Sequence, residues 1–566
     1  MGVKHFYIYI RNNFSNCINK NVSSFKNKNI HNLCIDMNGI IHNCAQEVYE
    51  YGNFKKKRLL TNKKLLTLKN QLRLFNRICE NVDEIRKCIL PSKRIIMCID
   101  GVAGVGKMAQ QRQRRFKSDL EFDETKFNQN CISAGTEFMS YLSKYIDWYI
   151  RLKQNTDDDW KNLEIVFSNE KVPGEGEHKI INYIRKFGKE SESFCIHGLD
   201  ADLIMLGMSL NKNDIYILRD NITKFGTYES HLVDISQLKR EVNERLNWND
   251  DETKQQSYSK DRGITDFVFM CFLVGNDFLP NIPSLAILDG GIDSMIDVYR
   301  TVGKEYGHLT KPKRVIGNML NLDSLEVFLG SLSEYEKGLL EDKYKNLDKF
   351  IDDPLLKKYF EGNKFDFEGY KKEFYLKKLG VDEDDTIIKK EICNNYIQGL
   401  DWVINYYKLG NPSWTWYYTR FYAPFLSDIT ECVKQYNYDW KSNQGSPLTP
   451  TQQLMCVLPK NSHYLLQKPF RDRLYDRFRD YYPDKFDIDC SGKRREWEGI
   501  VLIGMVNVED VKEYYADNVK DMDNKGLFID RVDNEYVYNY VHRKRDSVFK
   551  SYYGDIQNNR VVRQIL

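Results

Sequence analysis

Residues 32–37 read NLCIDM and residues 94–100 read RIIMCID, and these short apolar runs, each with an aspartate at its end, decide the fold. Three more such runs follow: LEIVFSN at 163–169, SFCIHGLD at 193–200 and DIYILR at 214–219. Segments with helical periodicity separate them, and strands that alternate with helices form mostly parallel sheets. The sequence therefore predicts an α/β domain, whose ligands bind beyond the carboxyl ends of the strands.

Composition divides the chain into three parts. We predict a first domain over residues 1–308 and a charged helical linker over 309–388, typified by SEYEKGLLEDKYKNLDKF. The remainder, residues 389–566, is rich in aromatic residues and is predicted to be mainly helical and packed against the first domain. We find no internal repeat.

Composition also narrows the class of protein. The 566 residues are 42% hydrophobic, yet no apolar run approaches the roughly 20 residues of a membrane span. The first residues lack a secretory signal, so we expect a cytoplasmic protein without a membrane partner. Thirteen cysteines are scattered without a CxxC pair, which indicates reduced core residues and not a zinc site or disulfide frame.

Net charge gives little information on partners, because 84 Lys and Arg face 81 Asp and Glu. Residues 51–79 are the exception, being basic without any acidic residue. The stretch could attract a polyanion, and its KKKR run at 55–58 could be a nuclear signal. The interpretation we favour is a solvated helix face or a disordered insertion.

Carboxylates recur next to glycines or strand ends in five segments. These are IDMNG with Asp36, CIDGVAG with Asp100, VPGEGEHK with Glu175 and Glu177, HGLDADLI with Asp200 and Asp202, and VGNDFLP with Asp277. Each acid alone could be a helix cap or a turn residue. Together, seven carboxylates at one sheet edge would repel one another strongly unless divalent cations bind them.

An all-oxygen ligand set favours Mg²⁺ or Mn²⁺, and two such ions typically catalyse phosphodiester hydrolysis. In LDADLI, alternation along an extended backbone is expected to place Asp200 and Asp202 on the same side. Asp266 lies three helical turns before Asp277 and is expected to project from the same helix face, as a structural residue. The sequence thus predicts a metal-dependent hydrolase.

A basic helix is predicted in KMAQQRQRRFKSDLE, which begins at Lys107. Its residues Lys107, Gln111, Arg114 and Arg115 share one helix face and could form a pocket for a terminal phosphate. An ordinary basic surface helix is the alternative, but such a helix usually carries interspersed acids, and residues 101–118 contain none. The preceding GVAGVGK lacks the spacing of a nucleotide-binding loop, which excludes an NTPase.

In nine ordered motifs between Met1 and Pro459, the chain resembles the Xrn family of 5′-to-3′ exoribonucleases. The motifs are MGVKHF, DMNGIIHNC, DGVAGVGKMAQQRQRRF, AGTEFM, VPGEGEHKIINYIR, GLDADLIMLG, GNDFLPNIPSL, PSWTWYYTRFYAPFLSD and PLTPTQQLMCVLP. The resemblance implies a PIN/FEN-like nuclease domain that processively hydrolyses single-stranded RNA with a 5′ monophosphate to nucleoside 5′-monophosphates. It also implies a role in mRNA decay and a monomer.

The resemblance assigns roles to individual residues. It implies two-metal binding and catalysis by Asp36, Asp100, Glu175, Glu177, Asp200, Asp202 and Asp277, and 5′-phosphate binding by Lys107, Gln111, Arg114 and Arg115. It implies base stacking by His42 and by Trp414 or Trp416, whose default interpretation would be core residues. A cap or triphosphate would be too bulky for the closed end of the implied channel.

Departures from the family pattern concern two motifs. Gly104-Val105-Gly106 stands where the family usually has Pro-Arg-Ala, which removes one positive charge next to the phosphate helix. Thr419 and Phe421 replace the usual Pro and His of the aromatic motif. Two alternatives remain open: a flap-type 5′ nuclease that acts on DNA, and an inactive RNA-binding scaffold.

Overall fold

The computed structural model describes residues 2–3, 5–20, 28–52, 68–222, 228–248, 256–382, 384–542 and 547–566. The KKKR run at 55–58 and the larger part of the basic stretch lie outside these residues. No structural interpretation is attached to them.

One large sheet organises the described ranges. The strands are β1 Ile18–Asn19, β2 Asn32–Asp36, β3 Arg94–Cys98, β4 Glu164–Ser168, β5 Phe194–His197, β6 Ile215–Ile222, β7 Tyr228–Asp234, β8 Phe360–Glu361, β9 Lys364–Phe365, β10 Ile488–Asp489, β11 Ile500–Val501, β12 Tyr536–Tyr540 and β13 Val561–Ile565. The sheet order is β1-β7-β6-β5-β2-β3-β4-β12-β13. The central strands β6, β5, β2, β3 and β4 are parallel, while the strands at both edges pair antiparallel. All five predicted strands and the α/β fold are confirmed.

The central strands are buried on both faces. In β2, Leu33 and Ile35 join one hydrophobic core, whereas Cys34 between them joins the other. In β3, Ile95 and Cys98 divide in the same way. Because successive side chains of a strand point to opposite faces, such continuous apolar runs fit a sheet covered by helices on both sides.

Helices cover the sheet and build the rest of the chain. They are α1 Phe6–Asn13, α2 Met37–Tyr49, α3 Leu68–Ile89, α4 Val105–Asp119, α5 Glu137–Thr156, α6 Asp158–Lys161, α7 Gly176–Phe187, α8 Asp202–Ser209, α9 Ile235–Leu246, α10 Lys260–Phe272, α11 Gly291–Tyr306, α12 Leu322–Ser333, α13 Glu336–Lys345, α14 Pro354–Lys358, α15 Phe367–Phe374, α16 Thr386–Lys408, α17 Leu426–Cys432, α18 Pro450–Val457, α19 Lys468–Arg477, α20 Val508–Asn518 and α21 Asn524–Asp530. Helices α2, α3 and α5 pack on one face of the sheet, and α7, α8 and α10 pack on the other. None of the helices in the described ranges combines the length and apolar character that a membrane crossing requires.

Residues 309–388 are more than the linker that we predicted. Helix α12 contributes Leu325, Phe328 and Leu329, all 0% exposed, to the same core as the sheet. The charged composition misled the prediction because most charges lie on the outer faces of these helices, while Glu336, which is 0% exposed, accepts from the backbone N–H groups of Leu426 and Ser427.

The aromatic-rich segment differs from the prediction in one respect. Its last part supplies β12 and β13, and β12 pairs with β4 through Tyr536, Val537 and Tyr538. The segment is mainly helical, as predicted, but it also extends the central sheet. The aromatic-rich segment and the first domain therefore share one sheet.

The cysteines are free thiols. Eleven of the thirteen are buried, while Cys88 and Cys490 are half-buried. Their burial agrees with the predicted role as core residues.

Candidate active site

The carboxyl ends of the parallel strands carry the predicted acids. Asp36 is the last residue of β2, Asp100 follows β3 by two residues, and Asp200 lies in the turn after β5. Glu175 precedes the first residue of α7, and Asp202 is the first residue of α8. The open sheet therefore places acids from three neighbouring strands at one edge, as predicted.

Asn38 and Gly176 lie next to both Asp36 and Asp100. Asn38 donates to Asp100 Oδ2 at 2.7 Å and accepts from the Asp100 backbone N–H at 3.0 Å. The Gly176 N–H donates to Asp100 Oδ1 at 2.6 Å. A Cβ on Gly176 would lie 2.9 Å from Asp36 Oδ1, so only glycine lets both carboxylates approach the start of α7.

A second group consists of Glu177, Asp200 and Asp202. One carboxylate oxygen from each lies within 4.8 Å of the others, a spacing suited to a shared metal ion. In the described part of the chain, Glu177 Oε2 and Asp202 Oδ1 are buried without a hydrogen-bond partner. Gly2 lies so close that a Cβ there would be 2.5 Å from Asp202 Cγ.

Lys107 joins the remaining two acids to the site. Its Nζ lies 2.5 Å from Glu175 Oε2 and 2.7 Å from Asp277 Oδ2. Tyr406 donates to the other Glu175 oxygen at 2.7 Å. Despite the opposing effect of burial, Lys107 lowers the pKa of Asp277 to about 2, so this carboxylate stays ionised.

Asp36, Glu177 and Asp202 experience the opposite effect. Burial raises the pKa of Asp36, and the charges of Asp100 and Asp200 raise it further. Burial also raises the pKa of Glu177, together with the charge of Asp202, and raises the pKa of Asp202 to about 7. A buried cluster of oxygen ligands that resists ionisation by itself fits a divalent cation, which would favour the charged forms.

Two details of the predicted geometry are wrong. The backbone of LDADLI is not extended, because Ala201 has helical angles, φ −72° and ψ −25°, and the turn into α8 brings Asp200 and Asp202 together. Helix α10 ends at Phe272, so Asp266 and Asp277 do not share a helix face. Asp266 instead accepts hydrogen bonds from His308 Nδ1 and the Tyr299 hydroxyl, both at 2.7 Å, in the core.

The predicted phosphate helix is α4, and it presents its polar residues in different ways. Gln111 and Arg115 are buried, and Gln111 Oε1 and Arg115 Nη1 have no hydrogen-bond partner among the described residues. Arg114 is exposed, whereas Lys107 contacts the carboxylates. Burial and the charge of Arg114 lower the pKa of Arg115 to about 9, which indicates a site that lacks a compensating anion.

His42, on α2, lies near Arg114 and Arg115 of α4. It is half-buried, and burial together with the charges of Arg114 and Arg115 lowers its pKa to about 3. The imidazole is therefore neutral at physiological pH. A neutral ring can stack on a base, because stacking requires no charge.

The two tryptophans of PSWTWYY have different environments. Trp416 is 8% exposed, with its ring centroid 5.3 Å from that of Trp402, so Trp416 is a core residue and the stacking prediction is wrong for it. Trp414 is half-buried and its carbonyl accepts from the Val105 N–H at the start of α4, at 2.9 Å. A stacking role for Trp414 stays a prediction.

Sequence reasoning missed three residues of the site. Asn38 belongs to the IDMNG motif, so an amide two residues after Asp36 was an available signal. Tyr406 contacts Glu175, and the Tyr407 hydroxyl lies 3.5 Å from Asp202 Oδ2. Both belong to α16, far along the chain, and nothing in their local sequence indicates the contact.

Gln453 fixes the loop that leads into α4. It is 2% exposed, and its Oε1 accepts from the Ala103 backbone N–H at 2.8 Å. We expect Gln453→Leu to lower the free energy of unfolding by about 1–3 kcal/mol, because the buried Ala103 N–H loses its partner. Urea denaturation monitored by circular dichroism would measure this change. Gln435→Leu, at an exposed position, is the control, and equal stability of the two variants would contradict the assigned role.

Two family models match the chain. The first, described as the XRN 5′-3′ exonuclease N-terminus, matches residues 1–126 and 120–221. The second, described as the Xrn1 helical domain, matches residues 257–364 and 363–565. Together they account for nearly the whole chain.

Curated relatives carry matching names. The chain is 29% identical to human 5′-3′ exoribonuclease 1, across 91% of this chain and 34% of that protein. It is 27% identical to 5′-3′ exoribonuclease 1 of Saccharomyces cerevisiae, across 99% of this chain and 46% of that protein. The chain thus spans less than half the length of these two relatives.

Two solved structures show a distant likeness to this chain. A bacteriophage T5 flap endonuclease is 10% identical with a TM-score of 0.28, across 55% of this chain and 86% of that one. The catalytic core of Rad2 is 13% identical with a TM-score of 0.32, across 67% and 96%. Because these TM-scores are low, the function of the site is inferred from its own geometry and not from these structures.

Proposed function

We propose, since this chain belongs to the Xrn family of 5′-to-3′ exoribonucleases, that it processively hydrolyses single-stranded RNA from the 5′ end. The products would be nucleoside 5′-monophosphates, and the cellular role would be RNA decay. One observation carries the proposal: the acids at the sheet edge adjoin α4, where the buried Arg115 has a donor, Nη1, without a hydrogen-bond partner among the described residues. A reacting phosphodiester and a terminal phosphate would thus be held side by side.

The acids are proposed to hold Mg²⁺ or Mn²⁺, as two ions. Glu177, Asp200 and Asp202 form one ligand group, and Asp36, Asp100, Glu175 and Asp277 complete the set. Such ions, when bound, supply an activated water and offset the negative charge of the phosphate.

The side chains around the acids have positioning roles in this proposal. Asn38 fixes the rotamer of Asp100, and Tyr406 fixes that of Glu175. Lys107 holds Glu175 and Asp277 in place, and thereby links α4 to the carboxylates. Donors and acceptors that are already in position before the substrate binds accelerate hydrolysis.

Specificity for a monophosphorylated end would come from α4. Arg115 and Gln111 supply donors for phosphate oxygens, and a guanidinium can contact two of them at once. The start of α4 packs against the aromatic-rich segment, since a Cβ on Gly104 would lie 3.7 Å from the Trp414 carbonyl oxygen, and this packing is proposed to enclose one side of the phosphate pocket. Enclosure leaves little room for a cap or triphosphate.

The neutral His42 and the half-buried Trp414 are proposed to stack on the terminal bases. Stacking tolerates any base, which suits a degrading enzyme without sequence preference. A monomeric state and a cytoplasmic location remain predictions from the sequence.

Digestion of end-labelled RNAs that differ only in the 5′ group tests the proposal. We expect monophosphorylated RNA to be degraded faster than 5′-hydroxyl, triphosphorylated or capped RNA by about tenfold or more, because the donors of Arg115 and Gln111 bind only the free phosphate. EDTA should stop the reaction, and Mg²⁺ or Mn²⁺ should restore it. Equal rates on hydroxyl or capped ends, or full activity in EDTA, would contradict the proposal. Faster digestion of single-stranded DNA of the same sequence would favour a flap-type nuclease instead.

A further inference from the structure

A cavity of about 720 Å³ opens on the side of the sheet that α3 and α5 cover. Its walls come from these two helices, the residues after β4, the end of α21, and the segment of β12 and β13. None of the predicted catalytic, phosphate-binding or stacking residues lines it. Its volume lies in the range of about 300–1,000 Å³ that is typical of small-ligand sites.

Three cations in this cavity surround one aromatic ring. Lys171 Nζ lies 3.3 Å from the centroid of the Phe528 ring, while the Arg531 guanidinium lies at 4.6 Å and Lys144 Nζ at 4.8 Å. Within the described ranges, none of the three forms an ion pair with a carboxylate. The carboxylates of Glu170 and Asp533 offset this charge only in part, without an ion pair, and like charges that converge in this way indicate a place where an anion binds.

The cavity's acids, in contrast, already have partners. Asp147 accepts from the Tyr538 hydroxyl at 2.6 Å and lies 3.5 Å from Arg563. Asp533 accepts from the Tyr536 hydroxyl at 2.7 Å. The cations of the lining nevertheless outnumber its acids, so its net charge is positive: Lys144, Lys171, Lys550, Arg531 and Arg563 against Asp147, Glu170 and Asp533.

Lys171 shows the same imbalance. It is 4% exposed, and burial lowers its pKa to about 8, with the charges of Arg531 and Lys144 adding to the shift and those of Glu170 and Asp533 opposing it. A bound anion would offset both the burial and the repulsion. Such an anion would therefore bind most tightly below about pH 8, where the Lys171 amine is charged.

An aromatic edge adjoins the cations. Tyr552 is 78% exposed, and its ring centroid lies 5.3 Å from that of Tyr553. Tyr553 donates to the Tyr141 carbonyl at 3.0 Å, and Trp148 Nε1 donates to the Gly554 carbonyl at 2.9 Å, so α5 holds this edge in place. Tyr552 and Tyr553 also line a neighbouring groove that contains Lys69 and Arg73, which extends the basic and aromatic surface.

We infer that the cavity and the adjoining groove form a second nucleotide-binding site, with phosphate at Lys144, Lys171 and Arg531 and a base against the exposed tyrosine edge. Cations that bind phosphate beside aromatic faces that stack on bases are the usual combination for single-stranded nucleic acid. The same chemistry could take a free nucleoside monophosphate or one nucleotide of an RNA chain. The inference goes beyond the proposed hydrolysis and does not depend on it.

Photocrosslinking in EDTA tests the inference, because no digestion is needed. The probes are 4-thiouridine 5′-monophosphate and a short 4-thiouridine oligonucleotide, and mass spectrometry locates the labelled peptides. We expect label on the peptides that contain Phe528 or Tyr552. Label from the oligonucleotide alone would identify an RNA chain as the occupant, and label from both probes would include free nucleotides.

A double variant, Lys144→Gln with Arg531→Gln, removes two exposed cations from the site. We expect about a tenfold or greater loss of label at these peptides, because the bound phosphate would lose two charge-assisted hydrogen bonds. The slope of log affinity against log salt concentration for the oligonucleotide should fall by roughly 1.4, about 0.7 per cation. The control, Lys189→Gln with Arg473→Gln, removes the same charge from exposed positions elsewhere.

Tyr552→Ser provides an independent variant, since it removes an exposed ring without touching the cations. We expect reduced label with an unchanged salt dependence. Absence of label at both peptides in the wild-type protein would overturn the inference. So would equal labelling of the double variant and its control. Either result would leave RNA hydrolysis at the carboxylates untouched.

Discussion

Asp202→Asn protein is expected to digest monophosphorylated RNA about a thousandfold more slowly than the wild-type protein, while it still binds that RNA. The Asp202 carboxylate is one of three that lie close enough to share a metal ion, and its Oδ1 has no hydrogen-bond partner among the described residues. Metal ions stabilise the charge of such transition states by several kcal/mol, and each 1.36 kcal/mol is a factor of ten in rate. Single-turnover digestion and fluorescence anisotropy measure the two quantities, and Asp200→Asn should behave alike.

Thermal unfolding distinguishes this loss from misfolding. Burial raises the pKa of Asp202 to about 7, which means that its charge is unfavourable without a cation. In EDTA, Asp202→Asn should therefore unfold at the same or a higher temperature than the wild-type protein. Asp158→Asn, an exposed residue on α6, serves as the matched control and should retain activity. An active Asp202→Asn enzyme would disprove the metal assignment.

Arg115→Gln protein is expected to lose its preference for a 5′ monophosphate. The guanidinium is buried, and in the described part of the chain its Nη1 has no hydrogen-bond partner, so its interaction with phosphate would be charge-assisted and shielded from solvent. Loss of about 1.5–3 kcal/mol should lower kcat/KM on monophosphorylated RNA by roughly 10- to 100-fold. The value for 5′-hydroxyl RNA should be nearly unchanged, because that end has no phosphate to bind.

Two further variants sharpen this comparison. Arg115→Lys keeps the charge but not the forked donors, and should recover only part of the preference. Lys117→Gln removes a cation from the same helix, at a residue whose Nζ instead contacts the Glu496 carbonyl at 3.1 Å, and should have no effect on it. An equal loss on both RNA ends in Arg115→Gln would indicate a structural role for Arg115.

The strands and their acids were predictable because local sequence determines them. Apolar runs of five or so residues, such as those that contain Leu33 and Ile95, can only be buried on both faces, and parallel strands deliver their ends to one edge. The α4 helix was predictable for a similar reason, since the i, i+4, i+7 and i+8 spacing of its polar residues follows from helix geometry.

Contacts between distant segments could not be predicted in this way. Tyr406 reaches Glu175 from a residue 231 positions away, and only the packing of α16 determines that contact. Trp416 and Trp414 have almost the same local sequence, yet only Trp416 enters the core. Asp200 and Asp202 were correctly paired for an incorrect reason, because the sequence does not reveal where the strand gives way to the turn before α8.

The position of β12 has a consequence for synthesis of the chain. Strand β4 pairs with β3 on one side and with β12 on the other, and β12 begins at Tyr536, more than three hundred residues later. On the ribosome, one edge of β4 lacks its partner strand until those residues emerge, and contacts so distant in sequence form slowly. A nascent chain cut short before Tyr536 would keep a bare strand edge, which is a template for pairing with other chains.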